Sequence, residues 1–438
     1  MHSLLIRNGL ILTMNDRMET FQNGYVAVQQ DTITEIGPTS REHDLEAEIV
    51  IDARGGIVMP GLVNTHTHAA MTIFRGLADD MPLMDWLNRY IFPIEKNLSA
   101  EWVYWGTRLA AVEMIRSGTT TFCDMYLFED QAAQAAKDTG IRAMVGEVLY
   151  DFDSPSYGKL ENGYRVARDL ALKWQGDPLI SVAIQPHSPY TCSPELLRGA
   201  RKLAEDLAVP VVTHLSESDS EVTTVLERYG KRPVDHLDSL GLLDGKLIAD
   251  HCVALLQSEI ELFAERDVAV SHNVESNMKL ASGVSPVPEL LRCGVRVGLG
   301  TDGCASNNNL NLFGEMDAAA KLHKVMKKDP TQMDAKTVVT MATRGGARTL
   351  GMADRIGSIE PGKKADLIVL DTGRAHMIPM YNPYSHIVYA ANGSEVTCSI
   401  VNGRPVLLDG QIQTVDEEEV FAHVRRIAEQ INRIVGHG

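Results

Sequence analysis

Apolar runs of strand length alternate with amphipathic segments of helical length through the middle of the chain, from residue 58 to residue 355. Eight such runs occur: Gly61–His68, Thr119–Met125, Ile141–Val148, Ile180–Pro186, Val209–His214, Leu247–His251, Val268–His272 and Val295–Thr301. Between them lie segments with apolar residues at helical spacing, such as Glu101–Arg116 and Pro194–Leu207. Eight strands that alternate with helices in this way predict an α/β fold, a (β/α)₈ barrel of the TIM type.

The two ends of the chain have a different pattern, in which short strand-like runs are separated by turn-forming residues. Residues 1–57 contain such runs, with a predicted hairpin turn at Asn8-Gly9. Residues 356–438 contain similar runs, including Ile387–Ala390, and end in an amphipathic helix over Asp416–Val435. We therefore predict a small composite β domain, built from both ends and carrying a C-terminal helix, beside the barrel.

Composition and charge narrow the possible functions. The chain has 438 residues, and no apolar run approaches the ~20 residues that cross a membrane. A net charge of −17 disfavours binding to nucleic acid or to anionic membranes. The six cysteines are scattered without a Cys-x-x-Cys pair, which argues against a structural zinc cluster and a disulfide framework. Since no signal peptide is recognisable either, we predict a soluble cytoplasmic protein.

Histidines and an aspartate stand where the predicted strands end. The first run ends in His66-Thr67-His68, and the later runs end at His187, His214, His251, His272 and Asp302. The carboxyl ends of the strands of a parallel barrel converge on one rim, where active sites are built. These side chains are therefore expected to meet there.

A metal site follows from the types and positions of these residues. His66 and His68 are two positions apart on a strand, so both can point into the mouth of the barrel. His214 and Asp302 can complete the site from across the barrel. Imidazole nitrogens with one carboxylate suit Zn²⁺, and Fe²⁺ and Mn²⁺ also accept such ligands.

Proton transfer has candidate residues beside this site. Glu217 lies three residues after His214, where its carboxylate can approach a metal-bound water and exchange protons with it. His251 can orient that water or polarise the carbon under attack. Asp302 can accept the proton of the water in addition to binding the metal. We therefore predict Glu217, His251 and Asp302 as catalytic residues.

Two motifs give the chain a resemblance to a known family. Residues 60–68, Pro-Gly-Leu-Val-Asn-Thr-His-Thr-His, and residues 362–370, Gly-Lys-Lys-Ala-Asp-Leu-Ile-Val-Leu, resemble the amidohydrolase superfamily. The resemblance covers essentially the whole chain and implies a β-sandwich as the composite domain. Members with two metals carry a lysine on the fourth barrel strand, and Ile180–His187 has none. The resemblance therefore implies one metal ion per subunit, with Zn²⁺ preferred.

Within this superfamily the chain is most similar to the 5′-methylthioadenosine/S-adenosylhomocysteine deaminase group. Residues 68–80, 83–87 and 272–283 are similar to loops of that group. The resemblance implies hydrolytic deamination of the adenine ring of a small nucleoside by a homo-oligomer. It also implies that the substrate-binding residues are Glu95, His187, Glu217 and Trp86.

Other functions remain open at this point. Some members of the group hold the substrate's tail with an arginine after the third strand, but residues 147–164 contain no arginine. A guanine deaminase or an s-triazine (chloro)hydrolase on the same scaffold is the first alternative. A barrel that has lost catalysis and serves only as a binding scaffold is the second, and the complete set of expected ligands argues against it.

Overall fold

The computed structural model describes residues 2–41, 45–77, 79–80 and 90–436, which form two nine-stranded sheets and the helices around them. Five strands precede the barrel: β1 (His2–Leu12), β2 (Thr20–Gln29), β3 (Thr32–Pro38), β4 (Ala47–Asp52) and β5 (Ile57–Pro60). Strand β1 pairs antiparallel with β2 and parallel with both β4 and β5, so it lies at the centre of this group.

The middle of the chain forms the predicted parallel barrel. Its strands are β6 (Leu62–Thr67), β7 (Thr119–Tyr126), β8 (Arg142–Leu149), β9 (Ile180–Val182), β10 (Gln185–Pro186), β11 (Val211–Leu215), β12 (Leu247–His251), β13 (Ala269–His272) and β14 (Arg296–Leu299). Strands β9 and β10 both pair with β8 and share the fourth position. Pairing of Leu299 with Asn64, and of Ile184 with Val211, closes the barrel.

The other sheet combines both ends of the chain, as the turn-rich pattern predicts. Its later strands are β15 (Leu367–Leu370), β16 (Val396–Val401), β17 (Arg404–Leu408) and β18 (Gln411–Ile412). Strand β15 pairs antiparallel with β5 and so joins the two groups, whose apolar side chains, including Val26, Val58 and Leu367, share one buried core. The domain division at residues 57/58 and 355/356 remains a prediction. Strand β5 belongs to the composite sheet and extends to Pro60.

Helices follow the barrel strands and cover their outer faces. The longer ones are Ala100–Arg116, Glu129–Thr139, Leu160–Trp174, Pro194–Leu207, Asp219–Tyr229, Pro233–Ser239, Gln257–Arg266, Leu312–Lys327, Pro383–Tyr389 and Glu417–Val435. The shorter ones are Phe92–Glu95, Val274–Lys279, Val287–Arg292, Ala335–Thr340 and Gly346–Thr349. Side chains of Ser99, Ser193 and Asp416 cap three of the longer helices by accepting hydrogen bonds from first-turn N–H groups. No described helix is long and apolar enough to cross a membrane.

Two local predictions at the chain ends are wrong. The pair Asn8-Gly9 is not a hairpin turn, because β1 continues through it and Asn8, with a φ of 58°, lies at an irregularity in the pairing with β2. Residues Ile387–Ala390 do not form a strand, since most of them belong to the helix Pro383–Tyr389. The Asn382 side chain caps this helix and proline occupies its first turn, which outweighs the strand preference of the apolar residues.

A buried ion pair links the barrel to the composite sheet. Arg142 of β8 donates from Nε and Nη2 to the two carboxylate oxygens of Asp366, at 2.7 and 3.0 Å. The two side chains are only 1% and 2% exposed. The Asn402 N–H also donates to Asp366. The bidentate geometry satisfies both charged groups, so loss of either partner leaves a buried charge unpaired.

Replacing Asp366 by asparagine is therefore expected to lower the free energy of unfolding by about 3 kcal/mol. Urea unfolding followed by circular dichroism measures this change. Asp16→Asn is the matched control, because the Asp16 carboxylate pairs with two arginines but its side chain is 83% exposed. That variant is expected to change stability by about 0–1 kcal/mol. Equal effects of the two substitutions would show that burial of the Arg142 pair contributes nothing.

Candidate active site

The predicted histidines meet at the rim formed by the carboxyl ends of the barrel strands. His66 is on β6, His68 follows it, His214 is on β11 and His251 ends β12. The ring centroid of His66 lies 4.9 Å from that of His68, 5.0 Å from that of His214 and 5.5 Å from that of His251. The expected convergence of separate strands is therefore present.

Backbone carbonyls orient two of these rings. The Nδ1–H of His68 donates a hydrogen bond to the carbonyl oxygen of Met125. The Nδ1–H of His214 donates to the carbonyl oxygen of His187 at 2.8 Å. A ring that donates through Nδ1 keeps its Nε2 lone pair available. This is the arrangement in which a neutral histidine binds a metal ion.

Asp302 follows β14, the strand next to β6, so it reaches His66 and His68 from the neighbouring strand and not from across the barrel as the sequence predicted. Its Oδ1 is 3.5 Å from His66 Nε2 and 3.1 Å from His68 Nε2. The hydroxyls of Ser276 and Ser306 donate to its Oδ2 at 2.6 and 2.7 Å. These bonds fix the carboxylate so that Oδ1 faces the histidines.

The electrostatic field at this point favours a cation. Burial lowers the pKa of His66, but the carboxylates of Asp250 and Asp302 outweigh burial and raise it to about 10. Asp250 Oδ2 lies 3.1 Å from His66 Nδ1. Burial would raise the pKa of Asp302, yet the adjacent rings of His66 and His68 hold it well below the usual range. By contrast, burial and the neighbouring histidines lower the pKa of His214, which keeps this ring neutral.

The candidate ligand atoms form two groups of three that share His66. Nitrogens of His66, His68 and His214 lie within 4.8 Å of one another, and so do the ligand atoms of His66, His251 and Asp302. Both ring nitrogens of His66 are buried, and neither makes a hydrogen bond of good geometry among the described residues, although each faces a carboxylate oxygen. Buried polar atoms rarely stay unpaired, so this geometry fits an ion at the centre of the cluster.

The backbone of the site is strained where it presents two of these side chains. His251 and Asp302 have φ angles of 69° and 61°, in the left-handed region that side chains disfavour. Ser216, just before Glu217, has a φ of 52°. Such strain concentrates at functional sites, where the surrounding fold holds it in place.

Glu217 sits on a loop that another carboxylate holds in place. The buried Glu221 accepts hydrogen bonds from the N–H groups of Ser216 and Glu217, at 2.9 and 2.8 Å. The Glu217 carboxylate itself faces the cavity and has no hydrogen-bond partner within the described residues. The ring of His251 is fixed by Asn277, whose Oδ1 accepts from Nδ1 at 2.8 Å.

Glu95 occupies another wall of the same cavity. The hydroxyl of Tyr126 donates to Glu95 Oε1 at 2.7 Å, and burial raises the pKa of Glu95 to about 7. The C-terminal helix supports this segment, because its Ile427 and Ile431 share a core with Ile94. The Glu95 carboxylate is thus a fixed hydrogen-bond acceptor in the same cavity as the histidine cluster.

One cavity of about 670 Å³ joins these groups. His68, His187, His214, Glu217, His251, Asp302 and Glu95 all line it. Trp86, the remaining predicted residue, lies outside the described residues. His272 does not line the cavity. Its ring is buried elsewhere, with Nε2 lying 3.3 Å from Nε2 of His323.

Comparison with known proteins identifies the family. The model of the amidohydrolase family matches residues 57–406. The chain belongs to the amidohydrolase family. It is 56% identical to a 5-methylthioadenosine/S-adenosylhomocysteine deaminase of Syntrophobacter fumaroxidans, over 98% of each chain. It is 45% identical to a 5′-deoxyadenosine deaminase of Methanosarcina barkeri, over 98% of this chain and 99% of the relative.

A solved amidohydrolase agrees with this assignment. The crystal structure of an adenosine deaminase from Xanthomonas campestris with bound zinc has a TM-score of 0.97 at 40% identity, over 99% of each chain. These relatives confirm the predicted family, the barrel fold and the class of enzyme, a hydrolytic deaminase.

Several residues of this amidohydrolase site were not predicted from the sequence. They are Asp250 beside His66, Asn277 behind His251, Ser276 and Ser306 on Asp302, Glu221 under the Glu217 loop, and Tyr126 on Glu95. The sequence positions of two of them could have indicated a role at the site. Asp250 directly precedes a strand-end histidine, and Tyr126 ends the second barrel strand. The others act through contacts between distant segments, which sequence spacing does not reveal.

Proposed function

We propose that this amidohydrolase deaminates the adenine ring of adenosine derivatives such as 5′-methylthioadenosine and S-adenosylhomocysteine, with release of ammonia. The activities named for the relatives support this class of substrate. The observation that carries the proposal is the cavity that connects the histidine cluster and Glu217 with the Glu95–Tyr126 pair. A nucleoside requires both regions, because its base must reach the cluster while its ribose hydroxyls need an acceptor.

The cluster fits one Zn²⁺ ion, which we propose as the cofactor. His66, His68 and His214 offer nitrogens and Asp302 offers an oxygen, a donor set that Fe²⁺ and Mn²⁺ also accept. The nitrogens of His66 support this assignment, because they are buried and make no hydrogen bond of good geometry among the described residues. When bound, such an ion lowers the pKa of a coordinated water and supplies hydroxide near neutral pH.

Hydrolysis adds the oxygen of water to the purine carbon that bears the amino group, and the carbon–nitrogen bond breaks to release ammonia. In the proposed scheme Glu217 carries a proton from the water to the ring nitrogen. His251, whose Nδ1–H donates to Asn277, offers the lone pair of Nε2 as an acceptor that orients the attacking water. Asp302 accepts the second proton of the added water and passes it to the departing amine, which leaves as ammonia. His187 contacts the purine as a neutral ring, because burial and the nearby histidines lower its pKa to about 3.

The binding of the ribose is expected to depend on pH through Glu95. With a pKa of about 7, Glu95 is protonated below that pH and ionised above it. Only the ionised form accepts hydrogen bonds from two hydroxyls, so KM for a nucleoside is expected to fall by about tenfold as the pH rises from 5.5 to 8.5. Steady-state kinetics across this range measures the change.

Two variants check that Glu95 is responsible. Glu95→Gln cannot ionise, so its KM is expected to be high and to vary little between pH 5.5 and 8.5. Glu101→Gln, an exposed carboxylate on the next helix, is expected to keep the pH dependence. If Glu95→Gln retains the fall in KM, another group governs it.

An ammonia-release assay tests the proposed function directly. The substrates are 5′-methylthioadenosine, S-adenosylhomocysteine, 5′-deoxyadenosine, adenosine, guanine, cytosine and s-triazines. Activity on the adenosine compounds alone is expected. Activity on guanine or a triazine alone would establish the alternative hydrolase. No hydrolysis of any compound after addition of Zn²⁺ would establish a non-catalytic scaffold.

A cytoplasmic homo-oligomer is part of the same proposal. The family resemblance implies the homo-oligomer, and the free cysteines fit a reducing compartment. Size-exclusion chromatography with light scattering tests it, because a mass near the 48.1 kDa of one chain would overturn it.

A further inference from the structure

Aromatic and aliphatic side chains line the part of the cavity next to Glu95. They are Ile91, Pro93, Tyr126, Tyr150, Phe152 and Pro155, here called the aromatic wall. Tyr126 bonds directly to Glu95, and the pKa of Tyr150 is raised by burial and by the nearby Glu95 carboxylate. A nucleoside held through its ribose at Glu95 with its base at the histidine cluster therefore points its 5′ substituent towards this wall.

The outermost part of the wall is a stacked pair of rings. The rings of Tyr150 and Phe152 have centroids 3.9 Å apart and an interplanar angle of 10°. Tyr150 is 7% exposed, whereas Phe152 is 50% exposed and still lines the cavity. Phe152 thus offers apolar surface that a ligand can cover, and a thioether sulfur makes favourable contacts with aromatic rings.

The loop that carries Phe152 is held in its conformation. Ser154 and Gly158 exchange two backbone hydrogen bonds of 2.8 Å, and the Ser156 hydroxyl donates to the buried Glu147. The Tyr157 hydroxyl donates to the carbonyl oxygen of Val148 at 3.1 Å. A ligand therefore does not have to order this loop when it binds, which preserves the gain from covering the wall.

Among the described residues, the charged side chains around the wall are poorly placed to hold an amino-acid tail. Residues 147–158 contain no basic side chain. Among the described residues that line the cavity, Lys96 is the only base apart from histidine, and it is exposed, as is Asp153. Solvated charges contribute little to binding. A zwitterionic tail would lose hydration against the aromatic wall and recover little from these two groups.

We propose that the aromatic wall is the subsite for the 5′ substituent, and that it selects small uncharged groups, such as methylthio or methyl, over the homocysteine tail. The inference rests on the proposed deaminase function and narrows its substrate class. One apolar group more or less in a hydrophobic pocket changes kcat/KM by about tenfold or more. We therefore expect 5′-methylthioadenosine and 5′-deoxyadenosine to exceed S-adenosylhomocysteine by at least that factor.

Steady-state kinetics with the wild-type enzyme separates this inference from the proposed function. Deamination of 5′-methylthioadenosine at about ten times the kcat/KM of S-adenosylhomocysteine supports it. Equal or better use of S-adenosylhomocysteine overturns the inference but leaves the proposed function intact. Absence of activity on every adenosine compound overturns the proposed function itself.

Variants of Phe152 test the wall. In Phe152→Ala the ratio of kcat/KM for 5′-methylthioadenosine to that for adenosine is expected to fall about tenfold, because only the methylthio group covers the ring. Phe152→Leu keeps an apolar side chain and is expected to restore most of the ratio. Leu172→Ala removes a similarly exposed apolar side chain (56%) outside the cavity and is expected to leave the ratio unchanged. A ratio unaltered by Phe152→Ala overturns the inference.

A gain-of-function variant provides the converse test. Phe152→Arg places a cation where the tail carboxylate of S-adenosylhomocysteine would lie, and a guanidinium pairs well with a carboxylate. The preference for 5′-methylthioadenosine over S-adenosylhomocysteine is expected to drop by at least about tenfold. An unchanged preference would show that the tail does not reach this wall.

Discussion

Glu217→Gln is expected to lower kcat by about 10³-fold while the metal content of the protein stays unchanged. The amide has nearly the shape of the carboxylate but cannot carry a proton from water to the purine ring. Glu217 is not among the residues whose ligand atoms converge on the cluster, so its replacement leaves every proposed ligand in place. Ammonia release and metal analysis on the same preparation measure the two quantities.

The control for this variant is Glu227→Gln, an exposed carboxylate on the helix that follows Glu217. It is expected to behave like the wild type in both measurements. If Glu217→Gln were as active as Glu227→Gln, the proton would travel by another route. If Glu217→Gln lost its metal, Glu217 would be a ligand or a support of one.

His66→Ala is expected to lose metal and activity together. His66 is fully buried at the centre of the cluster, and its two nitrogens face Asp250 and Asp302. Its removal deletes one ligand and leaves the buried Asp250 without the histidine beside it. Metal affinity is expected to fall by at least about 100-fold, since changes outside the ligand set already cost 10–100-fold.

The matched control is His236→Ala, which removes another buried histidine that stacks on Tyr229 outside the cavity. It is expected to keep the metal and most of the activity. Circular dichroism of both variants shows whether the fold is retained. A folded His66→Ala that binds metal stoichiometrically would remove His66 from the ligand set.

The barrel was predictable because its strands are buried on both faces. Leu247–His251, for example, is apolar from Leu247 to Ala249 and polar only at its last two residues, so pattern alone locates such strands within a few residues. The fourth position was less clear, because β9 and β10 are short and interrupted. In the composite sheet, capping by Asn382 made a helix of a segment whose apolar residues predicted a strand.

The proposed ligands were predictable for a related reason, since residues at the strand ends must reach one rim. Their supporting residues were not. Asn277 comes within 2.8 Å of His251 only because the segment after β13 turns back over the site. Ser276 and Ser306 meet Asp302 from two different segments. Such contacts depend on how loops fold in space, and neither periodicity nor spacing encodes them.

The pairing of β5 with β15 has a consequence for synthesis of the chain. Pro60 pairs with Leu367, roughly 300 residues later in the sequence. At ~5–20 residues per second, a ribosome needs about 15–60 s to make that stretch. During this time β5 has an open edge, and Arg142 lacks the carboxylate of Asp366. An open strand edge invites pairing with other chains. A lower expression level, or a chaperone that covers this edge, is therefore expected to raise the yield of soluble enzyme.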